Sequence, residues 1–393
     1  MEKEISILAI NPGSTSTKLA LFHNDVSVLE QNIPFNSVER KPDFHILDEF
    51  DLRMNGILEF MSCAGLDIGD IDLVTARAST PAHVNYGAYE IDKFLVEAIC
   101  YAREGNTHSS SLSPILAYAL AAPYAKPAIF YDAVSADHTP PIARMSGLPG
   151  MNRMMGGHNL NTRMVGREAA ATFGKKYEDC KFVIAHLGGG FSVSAHNKGT
   201  VVDSIMSDEG PMSPQRAGRV NFIQLFHMCF SGDYTEKDMQ RITDSGGLLS
   251  YLGANDTIEV ERRVTSGDEK AKFMYEVMAY QLSKAIGEMF VALKCDADAV
   301  IITGGLANSA LFTGWVTEYV KRLANIMIIP GEREMLALAR GGLRVVRGEE
   351  ETQKFMTVPG GFGSLEALKE NFVLRRPDLI DLIMSIGETR FSF

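Results

Sequence analysis

Two short apolar runs, 5–10 and 19–22, flank a segment made almost entirely of small and polar residues: Asn11, Pro12, Gly13, Ser14, Thr15, Ser16, Thr17 and Lys18. This pattern predicts a β-hairpin. Its tip would offer backbone N–H groups, compact hydroxyls and one cation. Such a set suits phosphate, because Gly13 admits close backbone approach and the hydroxyls donate without bulk. A second apolar run, 182–187, carries His186 into Gly188, Gly189 and Gly190, then continues as a strand alternating Ser192 and Ser194 with apolar positions. A third glycine turn, Gly304, Gly305, Leu306, Ala307 and Asn308, follows the apolar run 299–303. Lone charged residues stand at predicted element ends: Arg77, Asp132, His158, Arg216, Glu332 and Glu334. Singly, each is more often a cap, an ion pair or a structural histidine. Together with the glycine turns they form an inventory for phosphoryl transfer. Arg and His would neutralise charge on the moving group, carboxylates would hold Mg²⁺, and N–H groups would hold nucleotide phosphates. The chain has no Walker P-loop, no His-Glu-x-x-His zinc motif and no Gly-x-Ser-x-Gly elbow. Two phosphate-type hairpins imply a duplicated α/β fold with a nucleotide held between its halves.

The elements expected to position these residues alternate strand and helix. Helical spacing covers 51–63 and 91–103; strands are expected at 71–75 and 128–131, the latter delivering Asp132 to a sheet edge, where open α/β sheets place their chemistry. The rise in Pro, Gly and Met over 140–157 marks an expected hinge. Further helices are expected at 159–173, 271–293 and 331–347, with the last carrying the chain back to the first domain. Residues 358–363 look like a linker, followed by helical patterns at 364–373 and 377–386. The division is therefore 1–150, completed by 335–393, against 151–334. At 393 residues, 46% hydrophobic and 22% charged, the chain suits two globular domains. A net charge of −11 argues against a general nucleic-acid binder, while a local Arg pair still permits an anionic substrate. The five scattered cysteines predict reduced, buried thiols, and hence neither a disulfide frame nor a zinc site. A start that runs straight into a strand leaves no room for a signal peptide, so a cytoplasmic protein is expected. The apolar region 112–131 is broken by Pro114, Pro123, Lys126 and Pro127, and reads as helix then strand instead of a membrane span.

On these motifs the sequence resembles the butyrate kinases, within the acetate kinase group of the sugar kinase, heat-shock ATPase and actin superfamily. The resemblance runs from residue 5 to about residue 350. It is carried by 10–18, 143–149, 185–190, 209–218, 302–307 and 330–335, with 267–272 and 278–281 also in the family's pattern. It implies two ribonuclease H-like (actin-like ATPase) domains with a nucleotide cleft between them. The implied reaction is reversible transfer of the ATP γ-phosphoryl group to a short-chain fatty acid, giving an acyl phosphate and ADP. Asn11 and its hairpin would face the terminal phosphate and metal. Arg77 and Arg216 would bind the acid's carboxylate and the transferring group, and His158 would support the transition state. Asp132 and Glu334 would handle Mg²⁺ and orient Arg216. His186 to Gly190 would hold the β- and γ-phosphates, and Gly304 to Asn308 the adenosine. ATP or ADP, Mg²⁺, a short carboxylic acid and a homo-oligomeric state are the implied partners, with no nucleic acid or membrane. Two segments depart from the family. Ala78 and Ser79 follow Arg77 where two glycines are usual, and 108–113 reads His-Ser-Ser-Ser-Leu-Ser in place of His-Ala-Ser-Asn-Leu-Gly. Both fall on the acid side, so acetate, propionate or another small carboxylate is the alternative acceptor. A catalytically silent nucleotide-binding regulator is the alternative class. The tail after Glu351 exceeds the usual family end and is expected to pack or to support an oligomer, with a lid over the cleft as the alternative.

Overall fold

The computed structural model describes residues 3–13, 15–34, 45–101, 109–355 and 377–385. The chain forms two compact units, residues 1–137 with 333–393, and residues 138–332. The first unit opens with strands β1 (Ser6–Pro12), β2 (Ser16–His23) and β3 (Val26–Pro34). Helix α1 (Phe50–Ala64), β4 (Leu73–Ala76), β5 (Ala88–Glu90), α2 (Lys93–Cys100), α3 (Ser113–Ala121) and β6 (Ala128–Tyr131) follow. Its mixed sheet has the order β3-β2-β1-β4-β6-β5, with β1, β4 and β6 parallel at its centre. The central strands are covered on both faces, which is why their sequences are apolar throughout instead of alternating. Leu8, Ile10, Val74, Ala76 and Phe130 form one side of a core shared with α1 and α3.

The second unit carries α4 (Pro141–Arg144), α5 (Asn159–Thr172), β7 (Lys181–Leu187), β8 (Phe191–Asn197) and β9 (Thr200–Ile205). Four short helices follow: α6 (Phe222–Phe230), α7 (Glu236–Asp244), α8 (Gly247–Leu252) and α9 (Thr257–Thr265). Then come α10 (Glu269–Ala292), β10 (Ala299–Gly304), α11 (Ala310–Val320) and β11 (Asn325–Pro330). Its mixed sheet has the order β11-β10-β7-β8-β9, with β7, β10 and β11 parallel. Val183, Ala185, Val300 and Ile302 face the α10 core, whereas Phe182, Ile184, Ala299 and Ile301 face α5. Asp268 caps α10 by accepting from Ala271 N–H, adding a first turn to the helix expected from 271.

Helix α12 (Glu334–Val346) returns the chain to the first sheet. Its glycines explain the close fit: a Cβ on Gly341 would lie 2.5 Å from the Tyr131 ring, and one on Gly342 2.6 Å from Leu73. A last helix, α13 (Pro377–Ser385), buries Leu379 in the first core. The expected helix at 364–373 and linker at 358–363 lie outside the described residues. The expected hinge segment is itself tied down: Arg153 donates to the carbonyls of Ala143 and Ser204 and pairs with Asp203 and Glu209. The contact division falls at 137 and 332, ahead of that segment. All five cysteines are free, but only Cys100 and Cys180 are buried; Cys63, Cys229 and Cys295 are exposed, contrary to expectation. Burial is set by which helix face meets the sheet, and composition does not report it. Among the described residues no helix is long and apolar enough to cross a membrane.

Candidate active site

The parallel strands of the first unit bring three expected residues to one sheet edge. Ile10 pairs with Ala76 and Ala76 with Phe130, so Asn11, Arg77 and Asp132 leave adjacent strands at their carboxyl ends. The first turn of α12 adds Glu334. Its Oε2 accepts from Asn11 Nδ2 at 2.7 Å and from Arg77 Nη1 at 3.1 Å. Two polar atoms here are buried without a hydrogen-bond partner, Asn11 Oδ1 and Arg77 Nε. Lone pairs and donors left unsatisfied in a protein interior are costly, so such atoms in a native fold call for a ligand or a reason. Asp132 is 3% exposed and holds a left-handed backbone, φ 42°. Its Oδ1 accepts from Gly87 N–H at 2.9 Å. A residue other than glycine kept there costs of order 1–3 kcal/mol, typical of functional positions.

The hairpin tip is fixed from below by a residue that motif reading passed over. Arg53 of α1 is fully buried and ion-paired to Glu49 at 2.6 Å. Its guanidinium also donates to the carbonyls of Gly13 (2.8 Å) and Ser16 (3.3 Å) and to Thr17 Oγ1 (2.9 Å). Gly13 N–H closes the tip on Ser16 O at 2.7 Å. The legible signal was an Arg inside the apolar stripe Phe50, Ile57, Phe60, with Glu four residues earlier. Lys18 stands directly across the ladder from Asn11; Ser14 lies outside the described residues, and Thr15 is exposed.

The two segments that depart from the family pattern meet each other. Ser79 N–H donates to Ser110 O at 3.2 Å, and Ala78 is fully buried. Ser109 Oγ donates to Pro12 O at 2.9 Å and Ser113 Oγ to Ile10 O at 3.2 Å, so both segments abut the end of β1. His108 lies outside the described residues.

In the second unit, His186 pairs with Ser192 one rung before the end of the β7–β8 ladder, and Gly188 to Gly190 form its tip. Asn161 Nδ2 lies 2.9 Å from His186 Nδ1. An amide nitrogen only donates, so Nδ1 is the acceptor and the proton sits on Nε2, the atom facing Gly188. The His158 ring stacks on His186 with centroids 3.8 Å apart, and its Nδ1 lies 3.0 Å from Ser192 Oγ. The Arg216 segment is sewn to the tip: Gln215 N–H (2.9 Å) and Ser213 Oγ (2.8 Å) both donate to Gly189 O. A Cβ on Gly190 would sit 3.5 Å from Arg216 Cγ.

Thr303 pairs with His186, so the glycine turn after β10 emerges beside this tip. Gly304 has φ 93°, and a Cβ there would lie 2.5 Å from Leu187 O, so only glycine fits. Gly305 and Asn308 are exposed while Leu306 packs into the core; a ligand would meet Leu306 through its backbone only.

Among the described residues no three His, Cys, Asp or Glu side chains cluster as a metal centre. Mg²⁺ does not require one. It takes one or two carboxylates and completes its octahedron with water and phosphate oxygens. A partnerless buried amide oxygen on Asn11 beside the Glu334 carboxylate fits that sparse demand.

A family model described as the Acetokinase family matches residues 149–361, more than half of the chain. Solved structures share the fold. Acetate kinase from Porphyromonas gingivalis is 17% identical with a TM-score of 0.70, covering 85% of this chain and 98% of its own. Propionate kinase from Francisella tularensis is 19% identical with a TM-score of 0.68, over 86% of this chain and 98% of its own. Acetate kinase from Entamoeba histolytica is 17% identical, also at 0.68, over 86% and 98%. The expected α/β architecture of two actin-like domains agrees with this likeness.

Proposed function

Because this chain belongs to the acetokinase family, we propose that it is an acyl kinase using ATP and a short-chain fatty acid, with butyrate or a branched relative as the first candidate acceptor. Acetate and propionate, named in the titles of the similar structures, are the alternative acceptors. The observation that carries this reading is the cluster of Asn11, Arg77 and Glu334, with its two partnerless buried polar atoms, on one sheet edge. In the reaction a carboxylate oxygen forms a bond to the γ-phosphorus as the bond to the β-phosphate oxygen breaks. The products are an acyl phosphate and ADP, and the reverse step regenerates ATP. The acid is already ionised near neutral pH, so no general base is needed and catalysis rests on positioning and charge neutralisation.

Arg77 and Arg216 bind the acid carboxylate and the transferring phosphoryl group. Glu334, bonded to Arg77, sets the direction of that guanidinium. Asn11 Oδ1, Asp132 and Glu334 hold Mg²⁺, which when bound supplies charge neutralisation at the phosphates. His186 Nε2–H, the N–H groups of Gly188, Gly189 and Gly190, and the hairpin of Gly13, Ser14, Thr15, Ser16 and Lys18 hold phosphate oxygens. Gly304, Gly305, Leu306 and Asn308 meet the nucleoside, and His158, held by Ser192, supports the transition state. A homo-oligomer is part of this reading.

A hydroxamate assay with ATP, Mg²⁺ and C2 to C6 acids tests it. Activity should disappear with EDTA. Arg216→Ala should lower turnover by roughly a hundredfold, about 2.7 kcal/mol, without loss of ATP binding. Nucleotide binding with no acid phosphorylated would instead favour the silent regulator.

A further inference from the structure

Helix α6 is apolar almost all round, yet none of its residues is buried. Its outer side shows Phe222, Ile223, Phe226 and Phe230 to solvent. Its inner side does something else. Leu225 and Met228, half-buried one turn apart, line a cavity of about 560 Å³ together with Met239 and Ile242 of α7. Arg216, Asp208, Ser207, Asn221 and Gln224 are its polar lining. Neither the His186–Gly190 tip nor the Gly304–Asn308 turn contributes to it.

We propose that this cavity is the tail pocket for the acceptor acid, so that the enzyme's acceptors extend from butyrate to monocarboxylic acids with a longer or aromatic apolar tail. This rests on the acyl-kinase reading above and adds the substrate class. A guanidinium and thioether and aliphatic side chains in one lining match a carboxylate that carries hydrocarbon. The volume lies within the roughly 300–1,000 Å³ of sites that enclose ligands of drug size, so acetate would leave most of it empty. The Met side chains suit a tail of variable shape, being flexible and polarisable. Arg216 is the one cation in this lining, so a second carboxylate finds no counter-charge, which excludes dicarboxylic acids. The purine is disfavoured as the occupant because a guanidinium beside aliphatic side chains pairs with an anion, and neither glycine turn reaches the cavity.

The test compares kcat/KM for acetate, butyrate, hexanoate, 3-phenylpropanoate and adipate in the native protein and in Met228→Trp and Met239→Phe. Two separate filling variants guard against one that fails to fold. The native enzyme should prefer hexanoate and 3-phenylpropanoate over acetate and reject adipate. Either variant should lower the hexanoate-to-acetate ratio at least tenfold, with ADP affinity tracking that of the native protein. Acetate as the best acceptor, with a ratio unmoved by both fillings, would overturn the tail pocket while leaving the acyl-kinase reading intact. A change in sedimentation without a change in the ratio would also overturn it, marking the cavity as an assembly surface. Failure to phosphorylate any acid would remove both readings together.

Discussion

The two phosphate-type hairpins solve one problem by different means. The tip after β1 is held by a side chain: buried Arg53 gathers the carbonyls of Gly13 and Ser16 and the Thr17 hydroxyl around one guanidinium neutralised by Glu49. The tip after β7 is held chiefly through main-chain contacts, with one side-chain hydroxyl added. Gly189 O accepts from Gln215 N–H and Ser213 Oγ, and Gly304 packs its bare Cα against the Leu187 backbone. A loop built on a buried ion pair depends on charge and on one distant helix. A loop built on glycine contacts depends on the absence of atoms. The first therefore tolerates changes in its own small residues better than changes in Arg53. The second should be intolerant at Gly304, where a Cβ would meet the Leu187 backbone, and indifferent to most side chains nearby.

The sharpest way to break this contrast is Arg53→Ala. It strands the Glu49 carboxylate in the interior, so chemical unfolding followed by circular dichroism should show a loss of about 3–5 kcal/mol. Arg53→Lys should recover only part, since an ammonium cannot reach all four acceptors at once. A loss below about 1 kcal/mol would mean that the hairpin stands without its brace.

Next in size is Gly304→Ala. A Cβ at φ 93° and 2.5 Å from Leu187 O should cost about 2–3 kcal/mol. Trp315, the chain's single tryptophan, lies in the second unit edge-on to Tyr275 at 5.7 Å, so its fluorescence reports that unit's melting. An unchanged fluorescence transition would show that the turn has room to adjust.

Acid should separate the units further. His196 of β8 is fully buried between Tyr177 OH (2.6 Å) and Ser194 Oγ (2.7 Å), and burial pushes its imidazole down to about 3. Its folded value lies below the ordinary 6.5, so the unfolded chain binds the extra proton below pH 6.5. Stability of the second unit should thus be unaffected above that pH and fall by about 2 kcal/mol by pH 5, measured on Trp315. His196→Gln should flatten that slope; an equal slope in the variant would assign it to other groups.

The smallest effect is expected at Gly189→Ala. A Cβ there meets the flexible end of Gln215 at 2.9 Å, and the backbone is not left-handed. Stability should stay within about 0.5 kcal/mol. ADP affinity, read by calorimetry, should fall by up to roughly tenfold, about 1.4 kcal/mol, because the methyl stands at the tip proposed to hold phosphate. Unaltered affinity would take Gly189 out of the nucleotide contact.

Local pattern made much of this legible. Apolar runs interrupted by small residues marked β1–β2 and β7–β8, because a hairpin is decided within a few residues of its turn. The strand 128–131 and the helices near 159, 271 and 334 were legible from their periods and flanking residues. The exposed edge strand β3 was not, since Glu30, Gln31 and Asn32 break any alternation and the strand is held mainly by its ladder with β2. Nor were α6 to α9: α6 buries none of its apolar residues, and α8 and α9 send only Leu248 and Val260 fully into the core, so periodicity carries little burial signal.

What the sequence by itself determined is therefore the identity of the chemical groups and the local turns that present them: Asn11, Arg77, Asp132, His158, Arg216 and Glu334, and three glycine tips. Tertiary structure alone decided which of them meet. Glu334 joins Asn11 and Arg77 because Gly341 and Gly342 let α12 lie close on the sheet, a contact between residues far apart in the chain. Arg53 became a support of the first hairpin tip only through the packing of α1 beneath it, and Asn161 set the His186 tautomer only because α5 lies under β7. Long-range contacts of this kind follow from the shapes of packed faces, and no spacing along the chain records them.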